Sequence, residues 1–253
     1  MTTAGLLFVF GGGPLPAQPT SISPQPAPLA VSAAACVVAP RPNALWSLAR
    51  CCATDLKSNP GCRYYDKADE FIILKDNSPL KPVSYMIIPT VKITGIEDRR
   101  IFAPPFVDFW AYGWRQAQTL IGKPAADMAL AINSVTGRTQ NQLHIHISCV
   151  KPEVARALAA AGAKIGSDPA TAAQLALGPK QHTYRIVKVT TLTGADSPYN
   201  LAAALSGARV DMAAQSIAVV GSTTPGAYYV LDTVARGANR GAAEELLDQY
   251  CTG

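Results

Sequence analysis

The fold is decided by the stretch QNQLHIHISCV at residues 140–150, in which apolar and polar side chains alternate from Leu143 onward. In a β-strand, residues two apart point to the same face. His144, His146 and Ser148 therefore share one face, and the residues between them point to the other. The pattern predicts a strand with one core face and one row of polar groups. The two histidines are either incidental on a solvated face or part of a site, and no third ligand at suitable spacing supports a metal site.

A loop rich in hydrogen-bond donors leads into this strand. It reads NSVTGRTQN at residues 133–141 and combines amides, hydroxyls and a glycine. Such a loop can turn backbone N–H groups and side-chain amides toward an anion. Arg138 would add positive charge there, although a loop arginine is more often solvated. A histidine nucleophile beside these donors suits cleavage of a phosphoanhydride, because the donors stabilise the oxygens on which charge develops.

The stretch from the loop to the strand resembles the motif of the histidine-triad (HIT) superfamily of nucleotide hydrolases and transferases. That motif has three histidines alternating with apolar residues, after an upstream glutamine. In this chain Gln140 stands four residues before His144, and Ser148 replaces the third histidine. The resemblance implies an α+β fold of HIT type, with a mostly antiparallel sheet, flanking helices and a C-terminal extension.

Three further short sequence motifs narrow the resemblance to one family within the superfamily. ITGIED at residues 93–98, NALW at 43–46 and DQYC at 248–251, together with the serine in place of the third histidine, resemble the CDP-diacylglycerol pyrophosphatase family. The resemblance covers about residues 43–251, which is most of the chain. It implies hydrolysis of a nucleotide-lipid, CDP-diacylglycerol before others, to CMP and phosphatidate.

The resemblance also implies catalytic roles. His146 matches the middle histidine, the nucleophile that would form a nucleotidyl-histidine intermediate without a metal or other cofactor. His144 matches the first histidine, which orients the nucleophile. Ser148 falls where the third histidine touches the phosphate next to the leaving group. A serine cannot titrate near pH 7, although a phosphate monoester needs little help to leave.

Five further residues are expected to bind substrate. Asn133, Arg138 and Gln140 come from the donor-rich loop. Asp76, in DNSP after an apolar strand, would contact the ribose hydroxyls, or it would only stabilise an Asx turn. Lys92 follows Pro89 by three residues, where many HIT proteins have a histidine, and would meet a phosphate or be solvated.

Two rival functions remain open. The first is hydrolysis of another diphosphate, such as a prenyl diphosphate or a soluble nucleotide. The second is a non-catalytic module that binds nucleotides. The pair of His144 and His146 argues against the second rival, because a binding module has no physical need of both.

Composition excludes several classes of protein. Hydrophobic residues make up 49% of the 253, which is ample for a core and excludes a wholly disordered chain. The net charge of +5 comes without a dense basic stripe, so no nucleic-acid partner is expected. A mild positive charge is compatible with phosphate-bearing substrates and with peripheral contact to an anionic membrane. Aromatic residues at 102–114 suggest a lipid groove or, more in keeping with their helical spacing, a core helix.

Residues 1–40 are predicted to be a flexible leader. They carry no charged side chain, and prolines interrupt their apolar runs, which are shorter than a membrane span. A positive segment typical of signal peptides is missing, yet six cysteines suit an exported or membrane-associated protein. The family resemblance implies the pairs Cys52–Cys62 and Cys149–Cys251, which leaves Cys36 and Cys51 unpaired.

Residues 41–253 are predicted to form the hydrolase domain, with a motif-bearing half at 41–162 and a C-terminal portion at 163–253. Ala227 to Asp232 weakly echoes Phe71 to Asp76, so the C-terminal portion is interpreted as a degenerate second half. This would make a monomer self-sufficient, whereas HIT domains often form homodimers. The predicted helices are 44–50 (capped by Asn43), 106–121, 152–162, 198–205 and 242–250, and the predicted strands are 71–75, 83–89, 128–132, 143–150, 182–190, 216–220 and 227–231.

Overall fold

The computed structural model describes Met1, residues 36–206 and residues 209–252. Of the predicted leader, residues 2–35 lie outside the described residues. The chain divides between Ala34 and Ala35, and the helices and strands of the described part lie in the unit Ala35–Gly253. They are α1 (Ala44–Thr54), β1 (Cys62–Asp66), β2 (Phe71–Lys75), β3 (Tyr85–Pro89), α2 (Phe109–Ile121), β4 (Met128–Ile132), β5 (Ile145–Val150), α3 (Pro152–Ala161), β6 (Ala173–Leu177), β7 (His182–Val189), α4 (Pro198–Ser206), β8 (Gln215–Gly221), β9 (Tyr228–Val234) and β10 (Leu247–Asp248).

The strands form one large sheet with the order β1-β2-β3-β5-β4-β8-β9-β7-β6, and β10 pairs with β5. Every pair of neighbours is antiparallel. The prediction of an α+β protein with a mostly antiparallel sheet is confirmed. The strand that carries the two histidines, β5, lies in the interior of the sheet between β3 and β4.

The order of elements occurs twice along the chain. The run β2-β3-α2-β4-β5 gives the spatial order β2-β3-β5-β4, and the run β6-β7-α4-β8-β9 gives β6-β7-β9-β8. The two runs meet at the centre, where β4 pairs antiparallel with β8 from Ala129↔Val220 to Ile132↔Ile217. The sheet is therefore continuous across two halves with the same local topology.

Helices cover both faces of the sheet. α2 and α4 pack on one face, where Trp110 and Tyr199 are fully buried and their rings meet edge to face. Most of the aromatic residues at 102–114 lie in this core, which confirms the core interpretation of that segment. The first turn of the helix predicted at 106–121, Phe106–Asp108, is a 3-10 helix. α3 and a 3-10 turn at Ala243–Leu246 cover the other face. α1 packs on the outer strands β1 to β3.

The prediction of a last helix at 242–250 was wrong. A 3-10 turn, Ala243–Leu246, is followed directly by β10, in which Leu247 pairs with Val150 and Asp248 with Cys149. Leu246 and Leu247 are both buried, so pairing and packing against β5 override the local helix propensity. The short strands β1 and β6 were not predicted, whereas α3 begins at Pro152 as expected and ends at Ala161, with Gly162 as its C-cap.

Three disulfides are present: Cys36–Cys51, Cys52–Cys62 and Cys149–Cys251. The last two are the pairs that the family resemblance implies. The expectation that Cys36 and Cys51 are unpaired was wrong, because Cys36 lies against α1 and bonds to its last turn. Within the described residues, no helix combines the length and the apolar character that crossing a bilayer requires.

Candidate active site

The histidine-bearing face of β5 is covered rather than solvated. His144 is 7% exposed, His146 6% and Ser148 0%. His146 stands between Met86 on β3 and Ala131 on β4, its direct cross-strand partners. The predicted row of polar groups thus lies beneath other parts of the chain and can work in a partly water-excluded site.

A cavity of about 490 Å³ opens over this face. Leu45 and Leu48 of α1, Leu74 of β2 and Met86 of β3 give it an apolar wall. On the polar side it is lined by six of the residues predicted to form the site, namely Asp76, Asn133, Arg138, Gln140, His144 and His146. The cavity therefore brings together residues from four separate stretches of the sequence, at 41–48, 74–86, 133–146 and 244.

The first histidine has a defined tautomer. His144 Nδ1 lies 2.7 Å from the carbonyl oxygen of Gln142, and because a carbonyl only accepts, Nδ1 carries the proton and donates. Burial, with His146 close by, lowers the pKa of His144 to about 3. The ring is therefore neutral at pH 7 and its Nε2 keeps a free electron pair. It stands edge to face with His146, with 4.9 Å between ring centroids.

The second histidine is also neutral near pH 7. Burial lowers the pKa of His146 below the ordinary value of 6.5, against the opposing attraction of Glu244. Its Nε2 lies 3.4 Å from Glu244 Oε2, and neither ring nitrogen has a hydrogen-bond partner among the described residues. A buried neutral imidazole without such bonds has an electron pair free for attack on phosphorus.

Glu244 is a site residue that the sequence analysis missed. It lies on the 3-10 turn after α4, β8 and β9, and its carboxylate accepts hydrogen bonds from Lys81 Nζ at 2.7 Å, Gln249 Nε2 at 2.6 Å and Asn133 Nδ2 at 3.3 Å. Burial opposes its ionisation, but His146, Lys81 and Gln249 outweigh burial, so the pKa of Glu244 falls to about 2. The carboxylate is ionised at pH 7.

Lys81 is the second residue that was missed. Besides Glu244, its Nζ lies 3.7 Å from Asp76 Oδ2. The loop that carries it is held by Lys75, whose Nζ donates to the carbonyl oxygens of Asp76 at 2.8 Å and Lys81 at 2.9 Å. Lys81 places positive charge in the cavity, beside His146.

Comparison with known proteins identifies the family of this chain. A family model for CDP-diacylglycerol pyrophosphatase matches residues 40–253. The chain belongs to the CDP-diacylglycerol pyrophosphatase family. A CDP-diacylglycerol pyrophosphatase of Yersinia pestis is 35% identical over 190 residues, which cover 72% of this chain and 71% of that protein. The predictions of the family and of a hydrolase are thereby confirmed.

In this member of the CDP-diacylglycerol pyrophosphatase family, the donor-rich loop is fixed by its own side chains. Gln140 Oε1 accepts a hydrogen bond from Leu45 N at 3.4 Å, at the start of α1. Asn43 occupies the N-cap position of α1, as predicted, but its side chain makes no capping hydrogen bond. Arg138 is not solvated: both of its terminal nitrogens donate to Glu97, at 2.5 and 2.6 Å, and its side chain is 6% exposed.

The remaining predicted residues occupy different environments. Asp76 lines the cavity and also forms an Asx turn, in which its Oδ1 accepts from Ser78 N at 2.9 Å. The Ser148 hydroxyl is within hydrogen-bond distance of the carbonyl oxygens of Val83, 2.6 Å, and Asp248, 2.9 Å, and cannot donate to both at once. Lys92 is exposed. Neither Ser148 nor Lys92 is among the residues that line this cavity in the described part of the chain.

Proposed function

We propose that the chain hydrolyses the pyrophosphate bond of CDP-diacylglycerol to give CMP and phosphatidate, with His146 as the nucleophile. Membership of the family supports the overall reaction. The observation that carries the role of His146 is its imidazole at the cavity wall, buried and neutral, with no hydrogen bond to either ring nitrogen among the described residues.

In the first step, the electron pair of His146 Nε2 attacks the phosphorus that bears the cytidine. The bond from that phosphorus to the bridging oxygen breaks with its electron pair, and phosphatidate leaves. In the second step, water attacks the cytidylyl-histidine and releases CMP, and the electron pair of the P–N bond returns to the ring. His144, neutral and fixed through Gln142, acts as a positioning residue for the nucleophile.

The cavity offers complementary contacts to the parts of this substrate. The apolar wall of Leu45, Leu48, Leu74 and Met86 suits the flat cytosine ring. Asp76 is placed to accept from the ribose hydroxyls. The amide of Asn133 and the ammonium of Lys81 suit the phosphates, while Arg138 and Gln140 shape the loop at that end of the cavity.

The fold is proposed to be HIT-like, with residues 163–253 as a degenerate second half. The repeated order, β2-β3-β5-β4 and β6-β7-β9-β8, supports this proposal. Since one chain contains both halves of the central seam at β4 and β8, we expect a monomer to be sufficient for activity.

Contact with a membrane is proposed for the side of the cavity near Lys81. Leu80 is 69% exposed and Tyr250 53% exposed, and their sequence neighbours Lys81 and Gln249 both bond to Glu244 Oε1. Exposed apolar and aromatic side chains beside the phosphate end suit a substrate whose lipid tail remains in a bilayer. The three disulfides are compatible with an exported protein.

The test is hydrolysis of CDP-diacylglycerol in EDTA by the full chain and by His146→Ala. We expect the wild type to release CMP, and His146→Ala to lose activity by roughly 10³-fold or more, because no other group would form the intermediate. Thermal unfolding of both proteins checks that the variant is folded.

Each alternative predicts another outcome. A folded wild type that releases no CMP, but cleaves another lipid diphosphate or a soluble nucleotide, would replace the proposed substrate. Binding of CMP without cleavage of any diphosphate would indicate a non-catalytic module. A His146→Ala variant with wild-type activity would refute the proposed nucleophile.

A further inference from the structure

Glu244 stands beside the proposed nucleophile. Its Oε2 is 3.4 Å from His146 Nε2, and that nitrogen is buried and makes no hydrogen bond to any described residue. A phosphorus atom must reach Nε2 along a path that runs beside this carboxylate. Glu244 is therefore within reach of the reacting atoms, although neither of the two proposed steps yet uses it.

The turn that carries Glu244 is firmly anchored. Ala243 N donates to Ser216 Oγ at 2.8 Å, Glu244 N donates to Asn133 Oδ1 at 3.2 Å, and Leu246 is fully buried. On the other side of the turn, Glu245 accepts from Tyr184 at 2.9 Å. The backbone at Glu244 is thus fixed against strands of both halves of the sheet, and side-chain rotation is the freedom left to the carboxylate.

The partners of the carboxylate are those that a phosphate would need. Lys81 and Gln249 donate to Oε1, and Asn133 donates to Oε2. A substrate phosphoryl group that enters the site competes for these same donors. Loss of the donors and the arrival of a second anion both raise the pKa of Glu244 from its low value in the free protein, and a less acidic carboxyl group is a better proton acceptor.

Ser148, in contrast, is poorly placed for proton transfer. Its hydroxyl is fully buried and faces the backbone carbonyls of Val83 and Asp248. The strand position that would carry a third histidine therefore holds a hydroxyl committed to the backbone, while an ionised carboxylate approaches the nucleophile from a distant segment of the chain.

We propose that Glu244 is the general base of the second step, which activates the water that cleaves the cytidylyl-histidine. This inference rests on the proposed function and extends it. The water oxygen forms a bond to phosphorus as one water proton passes to the carboxylate. The P–Nε2 bond breaks, its electron pair returns to the imidazole, and CMP leaves. The carboxyl group then releases its proton to solvent.

The test is Glu244→Gln, which keeps the size of the side chain and removes its basicity. With CDP-diacylglycerol we expect a burst of phosphatidate close to one per enzyme, followed by release of CMP that is slowed about 10²- to 10⁴-fold. Intact mass spectrometry should then show the cytidylyl group on the protein, and peptide mapping should place it on His146.

Glu153→Gln is the matched control, because Glu153 is exposed in the first turn of α3 and does not line the cavity. It should keep wild-type rates and accumulate no adduct. A second variant, Glu244→Ala, tests the chemistry directly, since added formate should restore release of CMP if a carboxylate base is what is missing.

The outcomes separate the two proposals. If Glu244→Gln releases CMP at the wild-type rate, or slows both products equally without an adduct, the role of Glu244 is refuted and the proposed function stands. If formate fails to rescue a folded Glu244→Ala, the base role is refuted as well. If the wild type itself releases no CMP, the proposed function has failed.

Discussion

Gly95 shows how a single position holds the donor-rich loop in place. A side chain built at Gly95 would overlap the guanidinium group of Arg138 and would also press on Glu97. The ion pair of Arg138 and Glu97 is largely buried and fixes the loop between β4 and β5. Glycine in the phrase ITGIED is thus explained by a close approach of side chains rather than by its backbone freedom.

We expect Gly95→Ala to destabilise the protein by about 1–3 kcal/mol, because the added methyl group must displace a paired arginine. Chemical denaturation measures the free energy of unfolding. Gly166→Ala is the matched control, since a side chain there would meet nothing nearby, and it should change stability by no more than about 0.5 kcal/mol. Equal effects of the two changes would contradict the packing argument.

His144 predicts how stability depends on pH. Its pKa is about 3 in the folded protein and 6.5 ordinarily, so the unfolded chain binds the proton more tightly. This contribution to stability is complete above pH 6.5 and is lost as the pH falls toward 3. Between pH 6 and 4, the free energy of unfolding of the wild type should fall by about 1.4 kcal/mol per pH unit more than that of His144→Asn. Asparagine is chosen because its amide can still donate to the carbonyl oxygen of Gln142.

Denaturant titrations of both proteins at several pH values check this prediction. Parallel pH profiles for the wild type and His144→Asn would show that His144 is not buried in its neutral form.

Some residues of the site could be predicted from the sequence and others could not. His144, His146, Asn133 and Gln140 belong to one continuous stretch, so spacing and chemistry sufficed to propose them. Glu244 reaches Asn133 from a position 111 residues away, and no local pattern marks it. Its partner Lys81 lies in a polar turn that resembles many solvated loops.

At the scale of elements, the short segment 242–251 supplies both Glu244 and its hydrogen-bond donor Gln249 to the site. The Cys149–Cys251 bond ties it to β5, the strand of the two histidines. A helix was predicted at 242–250, but the apolar residues at 243, 246 and 247 pack on a sheet that the local sequence does not reveal. Prediction failed at this segment because the partner surface is built from residues far away in the chain.

Removal of this disulfide by Cys149→Ala/Cys251→Ala should lower both stability and activity. The bond closes a sequence separation of 102 residues, for which chain entropy predicts about 4.7 kcal/mol. Activity should fall further than unfolding alone explains, because the segment after Glu244, which includes its hydrogen-bond donor Gln249, loses one of its anchors. Assays at a temperature where the variant is folded separate the two effects.

The comparison is Cys36→Ala/Cys51→Ala, which removes a disulfide between residues 15 apart in the sequence. Its removal is expected to lower the free energy of unfolding by about 3 kcal/mol. A larger loss of activity in this pair than in Cys149→Ala/Cys251→Ala would contradict the importance of the anchored turn.

At the scale of the whole molecule, the two halves share a topology but not a site. His146 on β5 lies opposite Ala131 on β4, and Ala131 lies opposite Ala218 on β8. Ala218 in turn lies opposite Leu231 on β9, which therefore occupies the position in the second half that corresponds to His146. Leu231 is fully buried beneath the face that α3 covers. The second half thus presents an apolar core where the first half presents the proposed nucleophile, His146. The sequence hinted at the repeat through one weak echo, because packing preserves topology while side chains diverge.

We therefore expect one nucleotide site per chain. Titration of the wild type with CMP, followed by calorimetry, should give one equivalent bound per chain, and His146→Ala should still bind if it remains folded. Two equivalents per chain would indicate that the second half has kept a site of its own.

The pairing of β4 with β8 also has a consequence for folding during synthesis of the chain. β4 is buried along its whole length in the finished sheet, yet its partner β8 is synthesised only after β5, α3, β6, β7 and α4. Until then, a nascent chain exposes an apolar edge strand, which is a template for unwanted pairing. Protection of this edge by a chaperone during synthesis would therefore matter more to the yield of active protein than protection of the cavity.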